Sequence, residues 1–165
     1  MRGRGDWFFQ FENPYGVFVN GEVKKMPYKY IEDVAIADVA FEASGKTIEE
    51  MFVSAAEALM NTQVKDLSAI SAVDEVRFEL KAKDEERLLH DFLQELIFYK
   101  DAKLLLFREY KLKIEKADGG FTLSANLKGE PINQKKHELL VDVKAVSWHM
   151  FKIEKGWKAF IILDV

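Results

Sequence analysis

The chain reads as an α+β domain, two helices packed on one face of a mostly antiparallel sheet, with an N-terminal β-hairpin extension. Three observations predict it. Two segments place apolar residues at helical spacing, each behind a residue suited to cap a helix. The segments between and after them alternate apolar and polar residues as half-buried strands do. The later strands are joined by short glycine turns, which makes them hairpins, and the order strand, helix, strand, helix, hairpin, hairpin is that of the α+β class.

Residues 1–27 differ from the rest. Trp7, Phe8, Phe9 and Phe11 crowd into five positions, and Val17 to Val23 carries Asn20-Gly21 where a type I′ turn needs two positive φ angles. They are expected to form a small β appendage whose aromatics dock on the main domain or on a second subunit, a route to homo-oligomers. From Tyr28 the main domain, 28–165, begins. Tyr30 to Ala43 supplies one strand or a strand with a bend, and Gly45 allows the chain to reverse. Thr47 and Glu50 have the form of a capping box, so a helix starts at about Thr47 and ends near 61–64. Its apolar positions Ile48, Met51, Phe52, Ala55, Ala56 and Leu59 share one face.

A polar connection over 65–72 leads to a strand in which Val76, Phe78, Leu80 and Ala82 alternate with charged residues. Asp84 caps a second helix with the stripe Leu88, Leu89, Phe92, Leu93, Leu96 and Ile97; His90 lies off that stripe and is expected to be exposed. Tyr110, Leu112 and Ile114, the turn Asp118-Gly119-Gly120, and Phe121, Leu123, Ala125 and Leu127 make a hairpin. Two final alternating runs, 143–153 and 157–163, meet at Lys155-Gly156 and make another. No repeat or linker divides the domain.

Composition excludes several classes of function. With 165 residues, 48% hydrophobic and 32% charged, the chain is long enough to bury one core. No run has the length of a membrane span, and the first residues lack the apolar stretch of a signal peptide, so a cytoplasmic protein without a membrane partner is expected. The absence of cysteine excludes zinc-finger, iron–sulfur and thiol chemistry. A net charge of −4 argues against a broad nucleic-acid surface, and the Lys-Lys pairs at 24–25 and 135–136 read as solvated faces.

There is no glycine-rich phosphate loop, no G-x-S-x-G and no H-E-x-x-H, so no catalytic residue is assigned. His90, His137 and His149 are too scattered for a metal motif, and His149 shares a strand face with Val143, Ala145, Phe151 and Ile153, as a core or boundary histidine would. Asp38 lies among small and apolar residues, where an unpaired carboxylate is costly to bury. It is either a strand-end Asp bonded to a loop or a metal ligand or acid–base group, and the residues leave both open. At the other end, Ile161-Ile162-Leu163 is buried-strand material followed at once by Asp164-Val165, so the Asp164 side chain and the Val165 terminal carboxylate fall together. If Asp38 met them, three carboxylates would demand a proton or a hard cation with oxygen ligands.

Several segments in order resemble the archease family, small protein cofactors of the RtcB-type tRNA-splicing ligase. They are Ala37 to Ala43 with Gly45 and the helix entry Thr47 to Phe52, Leu88 to Leu96, His137-Glu138 leading to Val143 to His149, and the closing Leu163-Asp164-Val165. Together they cover about 28–165.

The resemblance implies an α+β domain that binds a divalent ion, calcium foremost or else magnesium or manganese, through Asp38, Asp164 and the carboxylate of Val165. It implies a non-catalytic activator that promotes guanylylation of the ligase and lets it turn over repeatedly, touching tRNA or other RNA only indirectly. Lys144, with His137, is then a candidate partner or phosphate contact. Many relatives have His-Thr-Ala-Asp where this chain has Ala35-Ile36-Ala37-Asp38, and residues 1–27 lie outside the resemblance. The competing readings are a small metal-dependent phosphate-ester hydrolase using Asp38 and Asp164, and a chaperone-like binding module using the aromatic arm.

Overall fold

A computed structural model describes residues 17–19, 22–24, 27–31 and 38–165. The aromatic cluster at 7–11, the turn residues Asn20 and Gly21, and Ala35 to Ala37 lie outside the described residues. Strands β1 (Val17–Val19) and β2 (Glu22–Lys24) pair antiparallel with Val19 opposite Glu22, which is the register a two-residue connection imposes. They are followed by β3 (Tyr28–Ile31), β4 (Asp38–Ser44), α1 (Ile48–Gln63), a 3-10 turn at Leu67–Ala69 and β5 (Asp74–Ala82). The chain continues through α2 (Glu85–Lys103), β6 (Leu105–Ala117), β7 (Gly120–Pro131), β8 (Ala145–Glu154) and β9 (Lys158–Asp164).

Both helices begin where the sequence places them. The Thr47 hydroxyl accepts the Glu50 N–H at 3.1 Å, while the Glu50 carboxylate accepts from the Lys46 N–H at 2.7 Å, one residue earlier than a capping box requires. At α2 the Asp84 carboxylate accepts the Arg87 N–H at 2.7 Å. That helix ends at Leu104, whose φ of 56° is left-handed and whose N–H returns to Lys100 C=O at 2.9 Å.

The α+β class and the antiparallel pairing hold; beyond the β1-β2 pair the strands divide into two sheets, ordered β3-β4-β9-β8 and β5-β7-β6, and each helix packs on both. The reason is in the composition of α1. From Met51 to Gln63 every residue but the half-buried Val53 and Glu57 is buried, and a helix covered nearly all round needs neighbours on two sides. Phe52 and Phe92 stack at 5.8 Å between the helices, and Phe92 reaches Phe78 of the second sheet at 6.4 Å. Burial of such aromatics is a large share of the stability.

Two irregularities shape the sheets. The β6–β7 register shifts between Phe107 and Glu109, and a Cβ on Gly129, opposite Phe107, would collide with the Leu106 carbonyl. Only glycine allows that approach. On β8 the register with β9 runs regularly to Ser147, resumes at Lys152, and bulges between them with Met150 at φ 57°.

That bulge corrects the expectation for His149. Strand alternation holds only while each residue opposes one partner, and extra residues on one strand reset which face the next side chain takes. His149 is exposed, whereas Val146 before the bulge and Phe151 after it are both buried. Trp148 and Met150 are turned out with it, 49% and 59% exposed.

Leu104 is 58% exposed, so it gains little by burial to offset a conformation that costs a residue with a Cβ about 1 kcal/mol. Leu104→Gly should raise stability by roughly 0.5–1 kcal/mol, read as a higher urea midpoint at unchanged slope.

Candidate functional site

The register of β4 and β9 brings two carboxylates together. Asp38, the first residue of β4, lies directly opposite Asp164, the last of β9. Directly opposed residues have Cβ atoms about 5 Å apart. The next pair inward, Val39 and Leu163, is buried in the core, so by strand alternation Asp38 and Asp164 share the other face. Asp38 is half-buried, Asp164 is exposed, and the side chain of Val165 packs on the core. Among the described residues neither Asp forms an ion pair or a side-chain hydrogen bond. Like charges directly opposed on neighbouring strands repel.

The donor set can be tested against a divalent ion by its chemistry. It offers carboxylate oxygens alone, which suits a hard cation and not a soft one. Among the described residues no three His, Cys, Asp or Glu side chains are placed to hold a metal ion, so a third protein ligand would be the Val165 terminal carboxylate, one residue from Asp164. With that group the residues fit the ion the resemblance implies.

Lys144 stands at the same end of the sheet. Its N–H donates to the Asp164 C=O at 2.8 Å, its side chain is exposed, and the next residue, Ala145, pairs with Asp164. Three side chains of α2 hold this run in place. Lys100, buried, donates to the Val143 C=O at 2.8 Å and pairs with Asp142 and Asp101. The Gln94 carbonyl accepts the Val146 N–H, and His90 Nε2 lies 2.9 Å from the Val146 C=O. Gln94 and His90 therefore satisfy the open edge of β8 as a further strand would.

His90 is consequently buried at 7% exposure, not exposed as its place off the helical stripe suggests. The cause is tertiary: Trp148 from the β8 bulge stacks on it, with centroids 3.7 Å apart and planes at 6°. Burial lowers its pKa, opposed by the Val146 carbonyl, so the fold favours the neutral ring donating from Nε2. Helical spacing shows which residues share a face of α2, but carries no signal of Trp148, Gln94 or Lys100 acting on one strand.

His137 does not join the carboxylates and is not free to touch a partner. It is 1% exposed; Nδ1 accepts the Asn133 N–H at 3.0 Å and Nε2 donates to Glu130 at 3.1 Å. Glu130 also accepts from the Ser71 N–H and from Lys136 Nζ at 2.6 Å. Burial pushes its carboxyl up, but the bonds from Lys136, Ser71 and His137 outweigh that and bring it down to about 2. This cluster fastens the 133–137 turn to β7 and is structural.

The whole is a small α+β domain that presents opposed carboxylates and a lysine at one end of a sheet, a binding arrangement with no nucleophile and base beside it among the described residues. The model of the Archease protein family (MTH1598/TM1083) matches residues 28–165, and the chain belongs to that family. It is 40% identical over 132 residues to protein archease of Methanothermobacter thermautotrophicus, covering 78% of this chain and 93% of that one. It is 35% identical over 133 residues to protein archease of Pyrococcus abyssi, with the same coverage of 78% and 93%. The solution structure of Methanobacterium thermoautotrophicum protein 1598 superposes with a TM-score of 0.72 at 38% identity, over 84% of this chain and 99% of that one.

The Glu130 cluster makes an acid-stability prediction. The folded pKa is about 2 against an ordinary value of 4.5. A lowered pKa stabilises fully above the unfolded value, and that contribution is lost as pH falls through the folded one. Stability measured by urea unfolding should fall between about pH 4.5 and 2, and Glu130→Gln should be less stable at neutral pH while flattening that part of the profile.

Proposed function

We propose that this protein is a non-catalytic cofactor of an RtcB-type RNA ligase in tRNA processing, promoting guanylylation of the ligase and its repeated turnover. Family membership supports the general role, and the opposition of Asp38 and Asp164 carries the reading of how it acts. Two carboxylates facing each other without a cationic partner lower stability by about 0.2–1 kcal/mol relative to a neutral pair, a cost that bound charge relieves. Asp38, Asp164 and the Val165 carboxylate would hold a divalent ion, calcium foremost. When bound, such an ion supplies positive charge to phosphate oxygens.

The chain's own contribution is placement. The α2 grip on residues 143–146 fixes Lys144 at the rim, where its exposed ammonium can meet a phosphate or an acidic group of the ligase. The carboxylate end would then dock near the ligase active site and help place the nucleotide triphosphate. RNA is touched through the ligase.

The test is guanylylation of the RtcB-type ligase of the source organism with GTP and a divalent ion under multiple-turnover conditions. The intact chain should stimulate it, Asp38→Ala should abolish the stimulation, and Lys144→Ala should weaken it. Absence of stimulation by the intact chain would overturn the reading. In chelator, Asp38→Asn should melt higher than the parent, the repulsion being gone. Calcium at about 100 times its dissociation constant should stabilise the parent by about 2.7 kcal/mol and leave Asp38→Asn nearly unmoved.

A further inference from the structure

The first sheet meets β6 across a groove of about 540 Å³ whose walls are Pro27, Val53, Tyr110 and Leu112, with Glu49, Glu50 and Glu57 of α1 along its rim. Pro27 is pinned there, its C=O accepting from the Ser44 N–H at 2.8 Å and the Ser44 hydroxyl at 3.1 Å. Glu57 is half-buried and forms no ion pair among the described residues; burial pushes its carboxyl up against the opposing pull of Arg108. The groove is thus apolar along its length and acidic at its rim.

The segment Met1 to Phe11 has the complementary make-up, with Arg2 and Arg4 against a single Asp6 ahead of Trp7, Phe8, Phe9 and Phe11. The hairpin also brings it close. Val17 pairs with Lys24, and paired Cα atoms are about 5 Å apart. Lys24 is three residues from Pro27, a span of at most about 11 Å, which puts Val17 within about 16 Å of the groove wall. Five residues lie between Phe11 and Val17, six steps with a reach of about 20 Å.

We infer that the groove between α1 and β6 is the docking site of this chain's own residues 2–11, the aromatics filling its floor and Arg2 and Arg4 pairing with the glutamates of its rim. Tethering through a hairpin whose β1 contacts the 3-10 turn Leu67–Ala69 and whose Val17 stays within reach of the groove raises the effective concentration, so weak contacts suffice. The family match covers residues 28–165, so the arm lies outside the matched part and every lining residue of the groove but Pro27 lies inside it. The groove lies by Ser44 and the carboxylates by Asp38, at opposite ends of β4 and about 20 Å apart, so docking is independent of the proposed activity.

The chain has no cysteine, which makes cross-linking clean. In the full-length protein, Phe9→Cys is combined with Val53→Cys, with Glu49→Cys, or with Asp118→Cys in the β6–β7 turn, about 20 Å beyond Leu112 along β6. Under mild oxidation the two groove pairs should form intramolecular disulfides at least about tenfold faster than the turn pair. Glu57→Lys added to the groove pairs should slow them several-fold, and circular dichroism should confirm that each variant is folded. Equal rates in all three pairs would overturn the inference. Cross-links formed only between chains, at a rate that rises with concentration, would also overturn it and assign the groove to a second copy's arm.

Discussion

The pairing of β4 with β9 is the constraint on which the rest of the structure depends. It joins the early part of the family domain to its last residues, and its buried side chains Val39, Phe41, Ile161 and Leu163 form the wall on which α1 lies. A slip of one residue would turn all of them out of the core, so the register is fixed by burial. Because the register is fixed, Asp38 and Asp164 are held opposite each other at the strand ends whether or not that is electrostatically comfortable. The core creates their opposition.

The second support is polar. β8 is an edge strand, and its outer edge near the site is satisfied by Gln94 and His90 of α2, while Lys100 holds Val143 a few residues earlier. Buried groups of this kind are stable only when fully bonded. The grip lets a strand begin abruptly at Ala145 and carries Lys144 to the rim beside Asp164. The bulge that follows turns Trp148 back onto His90, closing the grip from outside.

Much of this was legible in the residues. Thr47 and Asp84 mark helix starts because their side chains can reach N–H groups that no helix satisfies by itself, and both do so. The glycine turns mark the hairpins, and the oddness of Asp38 marks one half of the carboxylate pair. The histidines were not legible. His149 was read by alternation, which the bulge breaks; His90 was read by helical phase, which knows nothing of Trp148. His137 falls in a motif-like segment, yet its role depends on Glu130, Ser71 and Asn133, of which only Asn133 and Glu130 are near in sequence.

By itself the sequence determined what depends on neighbours along the chain: helix limits, strand alternation, turns, the class of fold and the family. Those follow from capping, side-chain periodicity and backbone freedom, all settled within a few residues. Tertiary structure alone decided that strands β3 to β9 form two sheets, that both helices are covered on two sides, and that residues 126 positions apart face each other as Asp38 and Asp164 do. Their opposition, like the burial of His90 and His137, is set by which elements meet. That is a property of the packed core, and no local pattern encodes it.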